Sequence, residues 1–136
     1  MKLFLGLYAL FILGFASWLP QKSRTESIAD GAELYQDFCV QCHLDSGLGV
    51  SGVFPPLKQS DYLFENIDRA IAGVKYGLKG PIVVNEEAYN GVMVMQGLDD
   101  QEIADVMNYI LNSWGNQWEE TITSNRVTKY FLKLLG

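Results

Sequence analysis

Residues 39–43, Cys-Val-Gln-Cys-His, contain both cysteines and the only histidine of this 136-residue chain. A disulfide between Cys39 and Cys42 would close a very small loop, so it would stabilise the fold little. A zinc site would need four ligands, and the chain has no further cysteine or histidine to complete one. A thioredoxin-like dithiol lies among alternating strands and helices, whereas residues 27–42 have a helical pattern. Cys-x-x-Cys-His is also the pattern of covalent haem attachment, which we predict here, with a redox dithiol as the alternative.

An uncharged, apolar run extends from Leu3 to Leu19, after Lys2 and before Pro20. Its 17 residues are at the short limit for a membrane-spanning helix. Residues 1–20 are therefore predicted to be a signal peptide that is cleaved, or an N-terminal anchor that tethers the protein to a membrane through residues 3–19. Both interpretations place the rest of the chain outside the cytoplasm, in the periplasm or at the outer face of the cytoplasmic membrane.

The remaining chain is acidic and of a length that suits one globular domain. Residues 21–115 contain 6 basic and 14 acidic side chains, a net charge of −8. Such a surface is unsuited to nucleic acid, which binds clustered cations. It favours a protein partner with a basic docking patch, because complementary charge speeds association.

Several segments share the spacing of one known family. They are Gly31 and Tyr35 before the first cysteine, Phe54-Pro55-Pro56-Leu57 after the histidine, YNGVM at 89–93, and LDDQEIADVMNYILNSWGN at 98–116. Together they resemble the class I monohaem cytochrome c family over roughly residues 28–116. The resemblance implies an all-α fold, a small helical domain at 21–116 wrapped around one covalently bound haem c. It also implies that Gly31 and Tyr35 meet the last core helix.

The numbers of histidines and methionines in the chain limit which residues can be axial ligands of the iron. The single histidine, His43, leaves none for a bis-histidine haem, so the sixth ligand must be a methionine or be absent. Met1 belongs to the predicted export segment, and Met107 lies on the apolar stripe of a predicted helix and is expected to be core, which leaves Met93 and Met95. The resemblance favours Met93, although Val94 stands where the family often has proline, so Met95 remains the alternative.

The resemblance also implies supporting roles near the haem. The carbonyl of Pro55 is expected to accept a hydrogen bond from the His43 ring, with a loop-stiffening proline as the alternative. Leu57 is expected to lie against the haem. With His/Met ligation the implied function is one-electron transfer to redox partner proteins, in a respiratory or related chain, without catalysis by the protein itself. The alternatives are a haem enzyme or gas sensor with an open sixth position, and a haem subunit of a larger oxidoreductase complex.

Capping signals predict the first helices of the domain. Ser27 is expected to cap a helix that begins at Ile28. Ser60 is expected to cap a second helix over 61–72, which Gly73 would end. Residues 75–92 are expected to form a loop with a short hairpin.

The C-terminal part has the clearest helical pattern. Asp99 and Glu102 form a capping box for a helix that Gly115 would end. A further helix is predicted over 124–135, within an extension at 117–136. That extension either packs on the domain or contacts a partner or membrane. In the loop before Met93, Glu86 and Glu87 are candidate docking residues.

Overall fold

The computed structural model describes residues 22–135, with side chains up to residue 129. The predicted export segment at 3–19 lies outside these residues. Among the described helices, none has both the length and the apolar character needed to cross a bilayer. Between residues 22 and 135 the elements, in chain order, are α1 (Arg24–Phe38), α2 (Val40–His43), α3 (Asp61–Glu65), α4 (Ile67–Tyr76), β1 (Leu78–Lys79), β2 (Ile82–Val84), β3 (Glu87–Tyr89), β4 (Val92–Met93), α5 (Asp100–Ile110) and α6 (Ser124–Leu135).

Helix α1 begins four residues earlier than the sequence predicted. Ser23 is the N-cap, and its side chain forms a reciprocal capping box with Glu26. The prediction that Ser27 caps this helix is therefore wrong. Ser27 is buried one turn inside the helix, where its hydroxyl donates to Oδ1 of Asp105 at 2.5 Å.

Helices α1 and α5 cross in close contact near Gly31. A Cβ on this glycine would lie 2.0 Å from the carbonyl oxygen of Asp105 and 2.9 Å from Cβ of Tyr109, so no other residue fits without displacing α5. One turn later the ring of Tyr35 lies 5.3 Å from that of Tyr109. The meeting of Gly31 and Tyr35 with the last core helix, which the resemblance implied, is present.

The second predicted helix is two helices. Ser60 caps α3 as expected, but the helix ends at Glu65, and Asn66 then caps α4 by accepting a hydrogen bond from the amide of Arg69. Gly73 does not end α4, which continues to Tyr76 and stops before Gly77. The predicted boundary is wrong because a glycine inside a helix costs only about 1 kcal/mol, which packing can offset.

The four strands form two short antiparallel pairs. The hairpin predicted within 75–92 is present as β2 and β3, which pair from Ile82↔Tyr89 to Val84↔Glu87. Strands β1 and β4 form a second pair, with Leu78 opposite Met93, that the sequence did not reveal. The domain is therefore mostly helical, with strands where an all-helical fold was expected.

The capping box of α5 is confirmed, because Asp99 accepts from the amide of Glu102 and the Glu102 side chain accepts from the amide of Asp99. The helix ends at Ile110, however, and does not continue to Gly115.

Helix α6 has the predicted bounds. Val127 and the preceding Ile122 are fully buried, and Arg126 forms an ion pair with Asp68 of α4 at 2.8 Å. The described part of the extension therefore packs on the domain.

Candidate functional site

An apolar slot opens between α4, α5, the strand pairs and the loop after His43. Its walls are almost entirely hydrocarbon, and include Leu57, Leu63, Val74, Leu78, Ile82, Val84, Met107 and Ile110. A second, outer lobe shares His43, Pro55 and Met93 with the first.

The two cysteines lie at the edge of this slot, one helical turn apart. Cys39 joins α1 to α2 and lines the inner lobe, whereas Cys42 is exposed and lines the outer lobe. They are not joined to each other by a disulfide. Burial raises the pKa of the Cys39 thiol to about 11, so the thiol is protonated at neutral pH. Two thiols on one edge of an apolar slot can form two thioethers to a single flat group bound inside it.

His43 ends α2 and is buried, with 8% of its surface exposed. Its Nδ1 lies 2.9 Å from the carbonyl oxygen of Pro55, which is the contact expected from the sequence. A carbonyl only accepts, so Nδ1 carries the proton and Nε2 is left with its lone pair. Burial lowers the pKa of His43, and the bond to Pro55 opposes this shift. The ring is thus a neutral, oriented donor of the kind that binds transition metals.

The two candidate methionines differ in position. Met93, on β4, lines both lobes of the slot, where it is held opposite Leu78 in the strand pair. Met95 does not line either lobe and is 64% exposed. Met107 is buried in α5, as predicted, and also forms part of the inner wall.

Two residues of α4 that were not predicted as site residues also line the slot. Gly73 has no atom within 4 Å of the place where a Cβ would stand, so its missing side chain leaves room inside the slot. Arg69 is the cation among the inner lining residues, and its Nε is buried without a hydrogen-bond partner. Residues 69 and 73 are four positions apart and so lie on one face of a helix. This spacing is the feature of the sequence that could have predicted that both line the same site.

The chemical groups that line the slot are of the types that bind a haem. The slot offers apolar walls, two thiols on one edge, a neutral imidazole, a thioether and one cationic side chain, that of Arg69. The family model for cytochrome c matches residues 28–114. The chain belongs to the cytochrome c family. Its haem is of the c type, bound covalently and containing iron, for which Cys39 and Cys42 are the cysteines available.

Curated relatives fall into two groups. Cytochrome c-552 of Thermus thermophilus is 42% identical over 93 residues, which cover 65% of this chain and 70% of that protein. The cytochrome c subunit of the quinone alcohol dehydrogenase of Gluconobacter oxydans is 32% identical over 103 residues, 73% of this chain but only 21% of the subunit. A cbb3-type cytochrome c oxidase subunit of Rhodobacter capsulatus is 29% identical over 97 residues, 31% of its length. The chain thus spans most of one relative and a minor part of the others.

Proposed function

We propose that this cytochrome c domain carries single electrons between redox proteins, with His43 and Met93 as the axial ligands of its haem iron. The observation that carries the proposal is that both side chains line the same apolar slot, beside Cys39 and Cys42. Bound haem supplies the one-electron chemistry. The protein's residues hold the group and exclude water from it.

The choice of Met93 over Met95 rests on exposure and pairing. Strand alternation puts residues two apart on the same side, so either methionine suits an extended chain. The pairing of Leu78 with Met93 places Met93 in the slot, while Met95 lies past the end of β4 and is largely exposed. A thioether that fills the sixth position supports a carrier over an enzyme or gas sensor, because it leaves no open site on iron for a substrate.

Arg69 is proposed to bind a carboxylate side chain of the haem. Its guanidinium lies 3.7 Å from the centroid of the Tyr62 ring and donates to the Tyr62 carbonyl at 2.7 Å, so its position is fixed before a ligand binds. The unpaired, buried Nε is left to donate to an anion. A charge-assisted hydrogen bond of this kind is stronger than one between neutral groups.

A second candidate function is that of the haem module of a larger complex. The similarity to cytochrome subunits of an alcohol dehydrogenase and an oxidase favours it, since these relatives are several times longer than the matched segment. In either case the apolar run at 3–19 supports export to the periplasm, with the run cleaved or retained as a membrane tether.

Ligand access to the iron tests the proposal on the purified holoprotein. The ferric form should be low-spin, with the near-infrared charge-transfer band of a methionine–iron bond, and the ferrous form should not bind carbon monoxide at neutral pH. A high-spin ferric spectrum with rapid carbon monoxide binding would mean an open sixth position and would favour the enzyme or sensor alternative.

A further inference from the structure

The loop after His43 includes Pro55, whose carbonyl accepts from the His43 ring. Neither Pro55 nor Pro56 has a backbone N–H that could donate a hydrogen bond, so neither can anchor itself to a neighbour through its own nitrogen. The loop is held instead by backbone bonds on both sides of the prolines: before them, Val50 and Phe54 each donate to the carbonyl of the other at 2.8 Å. The amides of Leu57 and Lys58 both donate to the Gly47 carbonyl, at 2.8 and 2.9 Å.

Asn116 holds the same segment from its other side. Its side-chain amide donates to the Leu57 carbonyl at 3.0 Å and to the Ile110 carbonyl at 2.8 Å, and its oxygen accepts from the amide of Gln59 at 2.8 Å. Only 5% of Asn116 is exposed. Gln59 has a φ of +49°, a conformation that side chains other than glycine rarely adopt, so an external bond is needed to keep it there.

We propose that Asn116 is a positioning residue for the axial histidine. It fixes residues 57–59 to the end of α5, and through them fixes the Pro55 carbonyl opposite Nδ1 of His43. The inference rests on the proposed role of His43 as an iron ligand. Asn116 lies outside the segment matched by the family model, which ends at residue 114.

The chemical consequence follows from the hydrogen bond that Asn116 supports. A carbonyl that accepts from Nδ1 fixes the ring orientation and makes the other nitrogen a stronger donor to the metal. Stronger donation stabilises the ferric state relative to the ferrous state. Loosening the loop should therefore raise the reduction potential and let the Nδ1 proton exchange faster with water.

Asn108 provides a matched control. Like Asn116 it is a buried asparagine with three side-chain hydrogen bonds, but it lies within α5, and its bonds run to Ser27 and to both backbone groups of Ile122. Neither partner lines the slot or belongs to the loop after His43. Asn108→Ala and Asn116→Ala should thus lower global stability alike, but only Asn116→Ala should affect His43.

The test is made on full-length holoprotein, by NMR of the ¹⁵N-labelled ferrous form and by redox titration. In Asn116→Ala the exchange rate of the His43 Nδ1 proton should rise by at least about tenfold, and the midpoint potential should rise. Both quantities should stay at the wild-type value in Asn108→Ala. Equal changes in the two variants, no change in Asn116→Ala, or a falling potential would overturn the inference.

Two further results keep the test decisive. If Asn116→Ala does not accumulate as folded holoprotein, Asn116→Ser is compared with Asn108→Ser, because serine keeps one polar group of smaller reach. Wild-type protein without the signals of an iron-bound His43 would overturn the ligand proposal and this inference together. Wild-type protein with those signals, and variants that do not differ, would overturn the inference alone.

Discussion

The two sides of the slot are held in very different ways. On the His43 side, the loop from Leu44 to Gln59 bonds to itself, to the side chain of Asn116 beyond the end of α5, and to the ring of Trp114, whose Nε1 donates to the Asp45 carbonyl at 2.8 Å. On the Met93 side, a pair of two-residue strands holds Met93, and the flanking side chains of Val92, Val94 and Met95 are each more than 60% exposed.

The difference indicates that the two sides of the slot differ in rigidity. The histidine side fixes geometry, since its backbone bonds leave the loop little freedom. The methionine side has little buried surface to stabilise it, and regions of that kind open locally at low free-energy cost. We therefore expect the Met93 strand to open before any other part of the slot.

The largest expected difference between the two sides of the slot is in the free energy of unfolding of glycine variants. Gly49 and Gly97 both have positive φ, +62° and +76°. A Cβ at Gly49 would lie 2.2 Å from the Phe54 carbonyl oxygen and 2.7 Å from that of Pro55, whereas at Gly97 it would meet nothing within 4 Å. Gly97→Ala should cost about 1–2 kcal/mol of left-handed strain, and Gly49→Ala should add about 1–3 kcal/mol of overpacking.

Urea unfolding of the two holoproteins at neutral pH measures these costs. Equal free energies of unfolding for Gly49→Ala and Gly97→Ala would show that the histidine-side loop yields as readily as the methionine side, and would remove the contrast.

Amide hydrogen exchange of the wild-type holoprotein compares the sides directly. The amides of Phe54 and Leu57, which are bonded to the Val50 and Gly47 carbonyls at 2.8 Å, should be protected. Those of residues 92–95 should exchange at least about tenfold faster, through local opening. Similar protection on both sides would contradict the account.

The features that the sequence predicted correctly are formed by residues close together in the chain. The capping box of Asp99 and Glu102 needs only four consecutive residues, and it was read correctly. Ser23 and Glu26 form an equally local box at the start of α1. Ser27 was preferred there, but its hydroxyl bonds across the domain to Asp105, a contact that no local pattern shows.

The rest of the slot depends on contacts between distant segments. Gly73 was read as a helix stop because glycine weakens helices in isolation, yet it remains inside α4 and leaves space in the slot. The sequence does not distinguish Arg69 from an exposed helical arginine, because its place at the wall of the slot depends on contacts with distant residues. The Cys-x-x-Cys-His motif by itself predicts Cys39, Cys42 and His43 as site residues, because covalent haem attachment requires that spacing.

One carboxylate links the two sides. Glu87, on β3, accepts from the Ser51 hydroxyl at 2.5 Å and from the Tyr89 hydroxyl at 2.7 Å. These bonds, first that of Ser51 and then that of Tyr89, hold the pKa of Glu87 below its usual 4.5. Burial, and then the bond to Glu87, raises the pKa of Tyr89 to about 12.

A lowered carboxyl pKa has a definite effect on stability. The contribution of Glu87 is complete above pH 4.5, its value in the unfolded chain, and is lost as pH falls through the folded value. Glu87→Gln should therefore be less stable than wild type at pH 7, with the difference shrinking at lower pH, as measured by urea unfolding from pH 7 to pH 3. Glu86→Gln, at the exposed neighbouring position, is the control. A difference independent of pH would contradict the role given to this carboxylate.

The smallest expected effect concerns docking. Since Glu87 is engaged by Ser51 and Tyr89, Glu86 is the better test of the predicted docking residues. Exposed charges act over about 30 Å at 0.01 M salt and about 8 Å at 0.15 M. Oxidation of the reduced protein by a cationic cobalt(III) complex should slow as salt rises, and oxidation by ferricyanide should accelerate.

Glu86→Gln should flatten both salt dependences slightly, while Glu33→Gln on α1 should leave them close to wild type. Identical slopes for the two variants would mean that the acidic surface acts as a whole and that Glu86 has no particular place in docking.

The central claim, that His43 and Met93 are the axial pair, is tested most directly by the near-infrared absorption of two methionine variants. Met93→Ala holoprotein should lose the methionine–iron charge-transfer band and have a lower reduction potential, because a weaker or absent sixth ligand replaces the thioether. Met95→Ala should keep both, since its side chain lies outside the slot. Loss of the band in Met95→Ala with its retention in Met93→Ala would contradict the account and assign the sixth position to Met95.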